Sequence, residues 1–497
     1  MTLNLVATIV ACLLLFTPTT CLVFTPTRTD PTTHNAMWDM WLFFNPENLQ
    51  EVHLHYLVND TRFTPCEYWE IGVYHFYNAI GHAVSEDGGV HWTDHGPIMS
   101  LNMTAGSGFL GSGSVIQTKK RTSTALPEYL MNFSEDNTPD INSLKQQIFF
   151  AKSNDLYNWE RIDGPMFSEN NDSDSKYQND AASRWDCMAF INGRGDEANS
   201  TFGYFSADPF PNATGAGFAV ALDHTLLDWQ PLPSPGPYSE PATPRGEVGG
   251  VAWLGDELLM VFQAGHSYRS NSPHGPFEAA EENFNMMTAE GGATFPRLWG
   301  QHYTHQEDLV LLSHHWLASD ANNVYAAPLK KVEADKNGVV RAVWYEPNYL
   351  LKGQEIKECV GVCMESGVWI DGRGVGGLWI GLEGENAGFH TKYNVSQNVF
   401  EMGYKEKPED DWGDSKIATD RGDCLADVDV DENEVEWRAL IRATYTGTTL
   451  IEFYLNNILS SPFTVNGVVT GEFVSVGAQL EEEEGGELPL RLFQLTL

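Results

Sequence analysis

Short runs in which apolar and polar residues alternate occupy the chain from residue 38 to about residue 345. Clear examples are VHLHYLV (52–58), QQIFFAKS (146–153), ELLMVFQAG (257–265) and DLVLLSHHW (308–316). Clusters of Gly, Pro, Asn and Asp separate them, and short runs bounded by turn-forming residues are typical of β-strands. A long amphipathic helix is nowhere predicted, so we expect this part of the chain to be all-β.

A weak repeat runs through the same region, in which a strand is followed by a turn and then a tryptophan. The copies are AVSEDGGVHW (83–92), FAKSNDLYNW (150–159), AVALDHTLLDW (219–229) and the less similar VYAAPLKKVEADKNGVVRAVW (324–344). Copies roughly 60 to 110 residues apart suit four-stranded blades joined by long loops, which predicts a β-propeller. The tryptophans are expected to pack between blades more often than to contact a ligand.

The pattern changes near YEPNYLLKGQEIKEC (345–359). Further strands separated by Gly-rich turns follow it, among them GGLWIGLEG (376–384), WRALIRATY (437–445) and TLIEFYLNN (449–457). Strands spaced in this way predict a β-sandwich. We therefore expect a propeller over 34–350 and a sandwich over 355–497.

The chain is strongly acidic, with 68 Asp and Glu against 29 Lys and Arg and a net charge of −39. Such a charge argues against binding to nucleic acid or to an anionic membrane. It fits a neutral or cationic ligand, or simply a soluble secreted protein. Runs such as EEEE (481–484) are read as solvated surface, so no site is assigned from charge alone.

The amino terminus predicts a secreted protein. An apolar run over 3–16 has the length of a signal-peptide core, and small residues suggest cleavage after Cys21, so that 1–21 is a leader. A basic residue near the start is lacking, which leaves an uncleaved anchor as the alternative. Seven Asn-x-Ser/Thr sequons fit a glycosylated mature chain, at Asn59, Asn102, Asn132, Asn171, Asn199, Asn212 and Asn394.

Cysteine usage predicts neither a disulfide framework nor a metal site. Without the leader five cysteines remain, an odd and sparse set: Cys66, Cys187, Cys359, Cys363 and Cys424. Cys359 and Cys363 lack a second cysteine or histidine pair at zinc-ligand spacing. We expect no cofactor and no metal, and the oligomeric state stays open.

One stretch, HNAMWDMWLFF (34–44), places an acid, Asp39, between two tryptophans. Burying a charge is costly unless the charge is paired or needed, so an acid among aromatic side chains is a candidate for catalysis. The alternative is that Asp39 ends a strand and bonds to nearby backbone.

The order of motifs resembles the five-bladed propeller glycosidases, chiefly glycosyl hydrolase family 32. The clearest pieces are IGHAVSEDGGVHWTDHGPI (80–98) and GFLGSGSVIQ (108–117), which look like that family's second-blade signature, and LIEFYLNN (450–457), which is similar to a strand of its C-terminal sandwich. The family contains the invertases, inulinases and other β-fructosidases. The resemblance spans most of the chain and implies three carboxylates in a central pocket.

By this resemblance Asp39 is the nucleophile, although Trp38 and Met40 replace the Asn and Pro that flank it in the family. The acid/base would be Glu247, with Val248 where the family usually has Cys. Glycoside cleavage needs one carboxylate to attack the anomeric carbon and one carboxylic acid to protonate the leaving oxygen. Retaining enzymes hold this pair about 5–5.5 Å apart.

The third acid implied by the resemblance is Asp186 in SRWDCMAF (183–190), which would steady the transition state through sugar hydroxyls. Arg184 is kept, Trp185 separates it from the acid, and Cys187 replaces a proline. The acids persist while their neighbours differ, which puts the identity of the sugar in more doubt than the fold.

Further residues are candidates for binding the sugar. Trp38, Trp41 and Trp185 offer apolar ring faces, with a place in the core as the alternative. Phe109 and Ser112 match a strand that lines the sugar pocket in the family, although GSGFLGSGS (106–114) also suits a flexible turn.

The expected function is therefore that of a secreted hydrolase that cleaves β-fructofuranosidic bonds in sucrose or fructans with retention. The alternatives are a family 43-like arabinosidase or xylosidase, some of which invert, and a carbohydrate-binding propeller that has lost catalysis. A sialidase fits less well. SEDGGVHW (85–92) matches an Asp box, but the required arginine triad is hard to place among few and scattered arginines.

Overall fold

The computed structural model confirms the predicted all-β fold, a five-bladed propeller followed by a β-sandwich. None of the helices among the described residues is long and apolar enough to cross a membrane. The structure describes residues 20–21, 37–58, 77–102, 110–118, 128–136, 146–164, 167–168, 176–177, 184–207, 215–236, 247–263, 265–280, 285–287, 293–300, 309–317, 324–357, 367–373, 377–383, 388–394, 399–407, 417–419, 436–443, 448–476 and 490–495.

Antiparallel sheets follow one another in chain order as blades 1 to 5. Blade 1 is β2 to β5, with β1 paired to its outer strand, and blades 2 and 3 are β6 to β9 and β10 to β13. Their bounds are β1 (Thr20–Cys21), β2 (Trp38–Phe44), β3 (Val52–Val58), β4 (Ala79–Ser85), β5 (His91–Ser100), β6 (Leu110–Gln117), β7 (Tyr129–Asp136), β8 (Gln146–Ser153), β9 (Glu160–Arg161), β10 (Asp186–Asn192), β11 (Thr201–Ser206), β12 (Ala216–Ala221) and β13 (Trp229–Leu232). A short 3₁₀ helix, Gly195–Glu197, lies between β10 and β11.

Blade 4 consists of β14 to β17, and blade 5 of β18, β19, β21 and β22, with the short β20 paired to β19. Their bounds are β14 (Val248–Leu254), β15 (Glu257–Phe262), β16 (Ser267–Ser270), β17 (Glu278–Ala279), β18 (Ala293–Gly300), β19 (Val310–Leu317), β20 (Val324–Ala326), β21 (Lys330–Ala334) and β22 (Val340–Trp344).

The ring of blades closes through shared apolar cores. Phe150 of blade 2 and Trp185 of blade 3 lie in one such core, and Leu42 of blade 1 meets Leu311 of blade 5 in another. Both faces of a blade are therefore covered. This is why β2, β3 and β4 are buried at nearly every residue, whereas a strand with one solvent face would be buried at alternate residues.

The repeat in the sequence marks one point in blades 1 to 3, the turn between the third and fourth strands. Asp87 and Asp155 each accept hydrogen bonds from backbone N–H groups of their turn. Trp159 and Trp229 donate their indole N–H to a carbonyl of the same turn. Trp92 and Trp229 are buried between blades, so these tryptophans contribute to packing.

The sandwich follows a connecting 3₁₀ helix, Glu346–Leu351. One of its sheets has the order β31-β30-β29-β24-β33-β23 and joins blade 5 where β31 pairs with β22, and the other has the order β28-β27-β26-β25-β32. The bounds are β23 (Lys352–Ile356), β24 (Val368–Arg373), β25 (Gly377–Glu383), β26 (Gly388–Asn394), β27 (Val399–Lys405), β28 (Ile417–Thr419), β29 (Glu436–Ala443), β30 (Thr448–Leu455), β31 (Ile458–Asn466), β32 (Val468–Val476) and β33 (Arg491–Leu495).

A fully buried ionic cluster connects the sandwich to blade 5. Glu452, in the LIEFYLNN segment, accepts a hydrogen bond from Lys330 Nζ and another from Tyr454 Oη at 2.8 Å. His314 Nε2 lies 2.8 Å from the same Lys330 Nζ. Removing one partner of a buried ion pair costs about 3–5 kcal/mol, so this cluster holds the two parts in one arrangement.

The structure corrects the expectation of a glycan at Asn132. Its side chain is fully buried in β7 and donates hydrogen bonds to Ser114 Oγ and to the Met188 carbonyl, each at 2.9 Å. A folded chain cannot present this amide to solvent, whereas Asn199 lies exposed in a turn. The leader over 1–21 and the bounds 34–350 and 355–497 stay predictions.

Candidate active site

The innermost strand of every blade carries a β-bulge close to its start. Each inner strand contacts the next, and β18 contacts β2, so the five strands surround the axis of the propeller. A bulge breaks the alternation of a strand and re-aims its side chains, often at an active site. The bulges lie between Trp38 and Trp41, Leu110 and Gly113, Asp186 and Ala189, Val248 and Gly250, and Thr294 and Arg297.

Three bulges place a residue other than glycine in the left-handed region of the backbone. These residues are Asp39 with φ +31°, Cys187 with φ +55° and Phe295 with φ +56°. Such a conformation costs about 1–3 kcal/mol and persists only where the surroundings enforce it, most often at functional sites. The bulge brings Asp39 to the axis although its neighbours along β2 lie in apolar cores.

The three acids proposed from the sequence meet at this end of the axis. Carboxylate oxygens of Asp39 and Glu247 and the Cys187 sulfur all lie within 4.8 Å of one another. Arg184 joins the third acid to them, because its Nη2 lies 3.1 Å from Asp186 Oδ2 and 2.5 Å from Glu247 Oε1. Glu247 is the most exposed of the three acids, with 13% of its side chain accessible.

The hydrogen bonds of Asp39 and Asp186 differ. Asp186 accepts from Ser134 Oγ at 2.5 Å, from the Cys187 backbone N–H at 2.8 Å and from Arg184 at 3.1 Å. The buried Oδ1 of Asp39 accepts no hydrogen bond from the described residues. This oxygen faces Arg297 Nη2 at 3.4 Å, whereas Asp186 is fixed in place by its three donors.

Arg297, which the sequence reasoning missed, lies at the centre of the site. The residue is 6% exposed, and its guanidinium reaches at least one group from each of the other four blades. The contacts are Asp39 Oδ1 at 3.4 Å, Ser112 Oγ at 3.0 Å, Cys187 Sγ at 3.4 Å, and in blade 4 the Val248 carbonyl at 2.7 Å and Glu247 Oε2 at 3.6 Å. A signal for it existed: TFPRLWG (294–300) places a charge inside an apolar run, as HNAMWDMWLFF does.

Burial and then the negative charge of Glu247 raise the pKa of Asp39 to about 7, against the opposing positive charge of Arg297. The Asp39 carboxyl group therefore holds its proton up to near-neutral pH.

A metal ion fits this set of groups poorly. Asp39, Cys187 and Glu247 have a spacing that can hold an ion, but Arg297 already lies 3.4–3.6 Å from all three. Burial raises the pKa of the Cys187 thiol well above its ordinary value, whereas a thiol must lose its proton to bind a metal. The guanidinium supplies the positive charge at this point.

The three tryptophans predicted to bind sugar differ in how accessible they are. Trp38 is half-buried beside Asp39, with its ring 4.9 Å from Phe295. Trp41 and Trp185 are buried at 3% and 0% exposure; Trp41 stacks on His55, and Trp185 packs on Phe205 at 4.9 Å. The prediction that these two stack on a sugar is wrong, because neither ring face is accessible.

Ser112 is also fully buried. It bonds to Arg297 and to Cys187, so it positions the guanidinium, and its assignment as a sugar contact is wrong. Phe109 lies outside the described residues. Four segments that lead into inner strands also lie outside the described residues: 22–36, 178–183, 237–246 and 288–292.

Comparisons with known proteins support the fold. The sequence matches no protein-family model and no curated protein. A solved β-fructofuranosidase of Aspergillus kawachii, complexed with glycerol, is 9% identical; the match spans 96% of this chain and 92% of that one, with a TM-score of 0.55. A solved structure from A. japonicus CB05 is 8% identical, over 96% of this chain and 94% of that one, with a TM-score of 0.57. The chain therefore shares its fold with a β-fructofuranosidase.

A more distant solved structure is a β-xylosidase/α-arabinofuranosidase from a compost microbial metagenome. It is 11% identical, over 64% of this chain and 98% of that one, with a TM-score of 0.41. A likeness this weak carries no argument about the reaction.

The raised pKa of Asp39 gives a prediction about stability. The folded chain holds a proton with a pKa of about 7, against an ordinary value of 3.8, so the stability that this proton contributes is lost as pH rises from about 4 to 7. Asn carries no charge at any of these values. Asp39→Asn should gain stability relative to the wild type over this range, by roughly 2–4 kcal/mol at pH 8. Calorimetric melting between pH 4 and 8 measures it.

The matched control is Asp87→Asn. Burial acts to raise the pKa of Asp87, but hydrogen bonds from His91 and Ser85 lower it to about 2, so its stabilising effect is present above about pH 4. This variant should lose stability at neutral pH. A stability gap between Asp39→Asn and the wild type that stays constant from pH 4 to 8 would contradict the account.

Proposed function

We propose that this chain is a retaining glycoside hydrolase with Asp39 as nucleophile and Glu247 as acid/base. The observation that carries the proposal is the separation of less than 4.8 Å between oxygens of these two carboxyl groups. Retaining enzymes need the short spacing of about 5–5.5 Å between carboxyl groups, whereas inverting enzymes leave about 6.5–9.5 Å for a water molecule.

In the first step a carboxylate oxygen of Asp39 forms a bond to the anomeric carbon while the bond to the leaving oxygen breaks. Glu247 gives its proton to that oxygen, and the leaving alcohol departs. In the second step Glu247 takes a proton from water, the water oxygen bonds to the anomeric carbon, and Asp39 is released as a carboxylate. The same two residues serve both steps, and Glu247 ends the cycle protonated again with a proton taken from the water.

The two arginines suit this cycle. Arg297 favours the charged form of Asp39, which is the form that attacks. Arg184 holds Glu247 and Asp186 together and, with 40% of its side chain exposed, lies where a sugar would enter. Asp186, fixed by its three donors, is proposed to bind hydroxyls of a ring that gathers positive charge in the transition state.

The proposed substrates are β-fructofuranosidic bonds in sucrose or fructans. The motif resemblance to family 32 and the fold shared with the β-fructofuranosidase of A. kawachii support this choice, and Trp38 beside the nucleophile offers a ring edge to the sugar. Arabinosides or xylosides are the alternative class. A panel of sucrose, inulin, levan and aryl arabinosides or xylosides distinguishes the two by the sugar released.

We expect Asp39→Asn to lower turnover roughly 10⁴-fold or more on the substrate that the panel identifies, because it removes the nucleophilic charge. Glu247→Gln should lower turnover of an unactivated glycoside strongly but retain more of the first step on an aryl glycoside, whose leaving group needs little protonation. Steady-state and burst kinetics measure both effects.

The control is Asp196→Asn, an exposed acid on the 3₁₀ helix between β10 and β11, which should turn over like the wild type. Near-normal turnover of Asp39→Asn rejects the assignment. Sugar binding without hydrolysis by the wild type would favour the non-catalytic alternative.

The chain is further proposed to be secreted, on the strength of its apolar run over 3–16 and its sequons. Mass spectrometry of the natural protein should find Leu22 at the amino end, with glycans on sequons such as Asn199 and none on Asn132. An intact Met1 end would refute cleavage.

A further inference from the structure

A groove of about 460 Å³ lies away from the catalytic acids, between the connecting 3₁₀ helix and the β23–β24–β29 side of the sandwich. This volume is within the range of about 300–1,000 Å³ typical of small-molecule sites. The residues that matter for its chemistry are Tyr349, Lys352, Asp371, Arg373, Glu436 and Arg438.

The floor of the groove is a guanidinium enclosed by aromatic rings. Arg438 Cζ lies 4.3 Å from the ring centre of Trp344, 4.9 Å from Tyr349 and 4.8 Å from Trp369. Its Nη1 donates to Asn457 Oδ1 at 3.1 Å and its Nη2 to Tyr349 Oη at 3.0 Å. Cation–π contacts and hydrogen bonds together fix the floor, so a ligand meets a preorganised surface.

Tyr349 supplies an apolar ring at the edge of this floor. It is 41% exposed and belongs to the small group of large apolar side chains that stay exposed among the described residues. A ring that is fixed on one side by Arg438 and open on the other is a stacking platform for the apolar face of a sugar.

The polar walls carry donors and acceptors in matched pairs. Arg373 lies 3.4 Å from Glu436, and these two side chains are 74% and 61% exposed. Lys352 is paired with Asp371, and Asp371 Oδ1 lies 3.5 Å from Arg438 Nε. Because each cation already has a carboxylate beside it, the groove favours neither an anion nor a cation.

We infer that this groove binds a neutral saccharide, one or two rings of a polysaccharide chain. Each sugar hydroxyl both donates and accepts a hydrogen bond, which matches walls of paired guanidinium and carboxylate groups. The ring face matches Tyr349. Binding here would hold a polymer near the enzyme, and that role, unlike the binding itself, rests on the proposed function.

The test measures binding of the full chain to inulin, levan, linear arabinan and xylan by affinity electrophoresis and calorimetry. Asp39→Asn serves as the parent, so that no polymer is consumed. At least one polymer should bind, and adding Tyr349→Ala should weaken its binding about tenfold. Adding Arg373→Ala with Glu436→Ala, an exposed pair whose removal leaves the fold intact, should weaken it several-fold.

The matched control is Lys331→Ala with Glu333→Ala, an exposed ion pair on β21, which should bind like the parent. The inference is overturned if none of the four polymers binds, or if the groove variants bind as tightly as this control.

Kinetics separate the inference from the proposed function. In the active chain Tyr349→Ala should raise KM for the polymer about tenfold while kcat, and kcat/KM for a short glycoside, stay unchanged. A chain that hydrolyses nothing but binds a polymer through Tyr349 would reject the proposed function and support the groove. Hydrolysis with a KM that Tyr349→Ala leaves unchanged would support the proposed function and reject the groove.

Discussion

The burial of Arg297 on the propeller axis is the constraint on which the rest of the site depends. An unpaired buried guanidinium would be prohibitively costly. This one is stabilised because every other blade contributes a group to it: a carboxylate, a hydroxyl, a thiol and a carbonyl oxygen. The bulges that bring Asp39 and Cys187 to the axis place both in the left-handed backbone region. Contact with Arg297 compensates for that strain, so the centre of the fold and the candidate active site are one structure.

Charge balance at the axis bears on the different roles proposed for two neighbouring carboxyl groups. Three carboxyl groups, of Asp39, Asp186 and Glu247, face two guanidinium groups, so one bound proton makes the cluster neutral. Asp186 is fixed in place by three hydrogen-bond donors. The pKa of Asp39 is raised to about 7, so Asp39 holds that proton below neutral pH, and the proposed nucleophile acts once this proton has left.

The sequence predicted what local patterns determine. Alternating runs gave the strands, the turn-and-tryptophan repeat gave the blades, and an acid between tryptophans marked the site. Trp41 and Trp185 were misread because both faces of a blade are covered, so apolar neighbours do not distinguish a pocket from a core between blades. Arg297 was missed because the bulge that aims it inward breaks the alternation and because its partners lie in four other blades. Asn132 was misread because a sequon contains no information about burial.

The carboxyl group held by Arg297 is proposed to become bonded to the sugar. The most direct test mixes the Glu247→Gln chain with an aryl glycoside of the sugar it accepts, quenches in acid and measures the mass of the peptide that contains Asp39. Because the second step needs Glu247 as a base, the intermediate should accumulate, and this peptide should gain the mass of one glycosyl unit. Release of the aryl group with no added mass on this peptide, or with the added mass on the Asp186 peptide, would contradict the account.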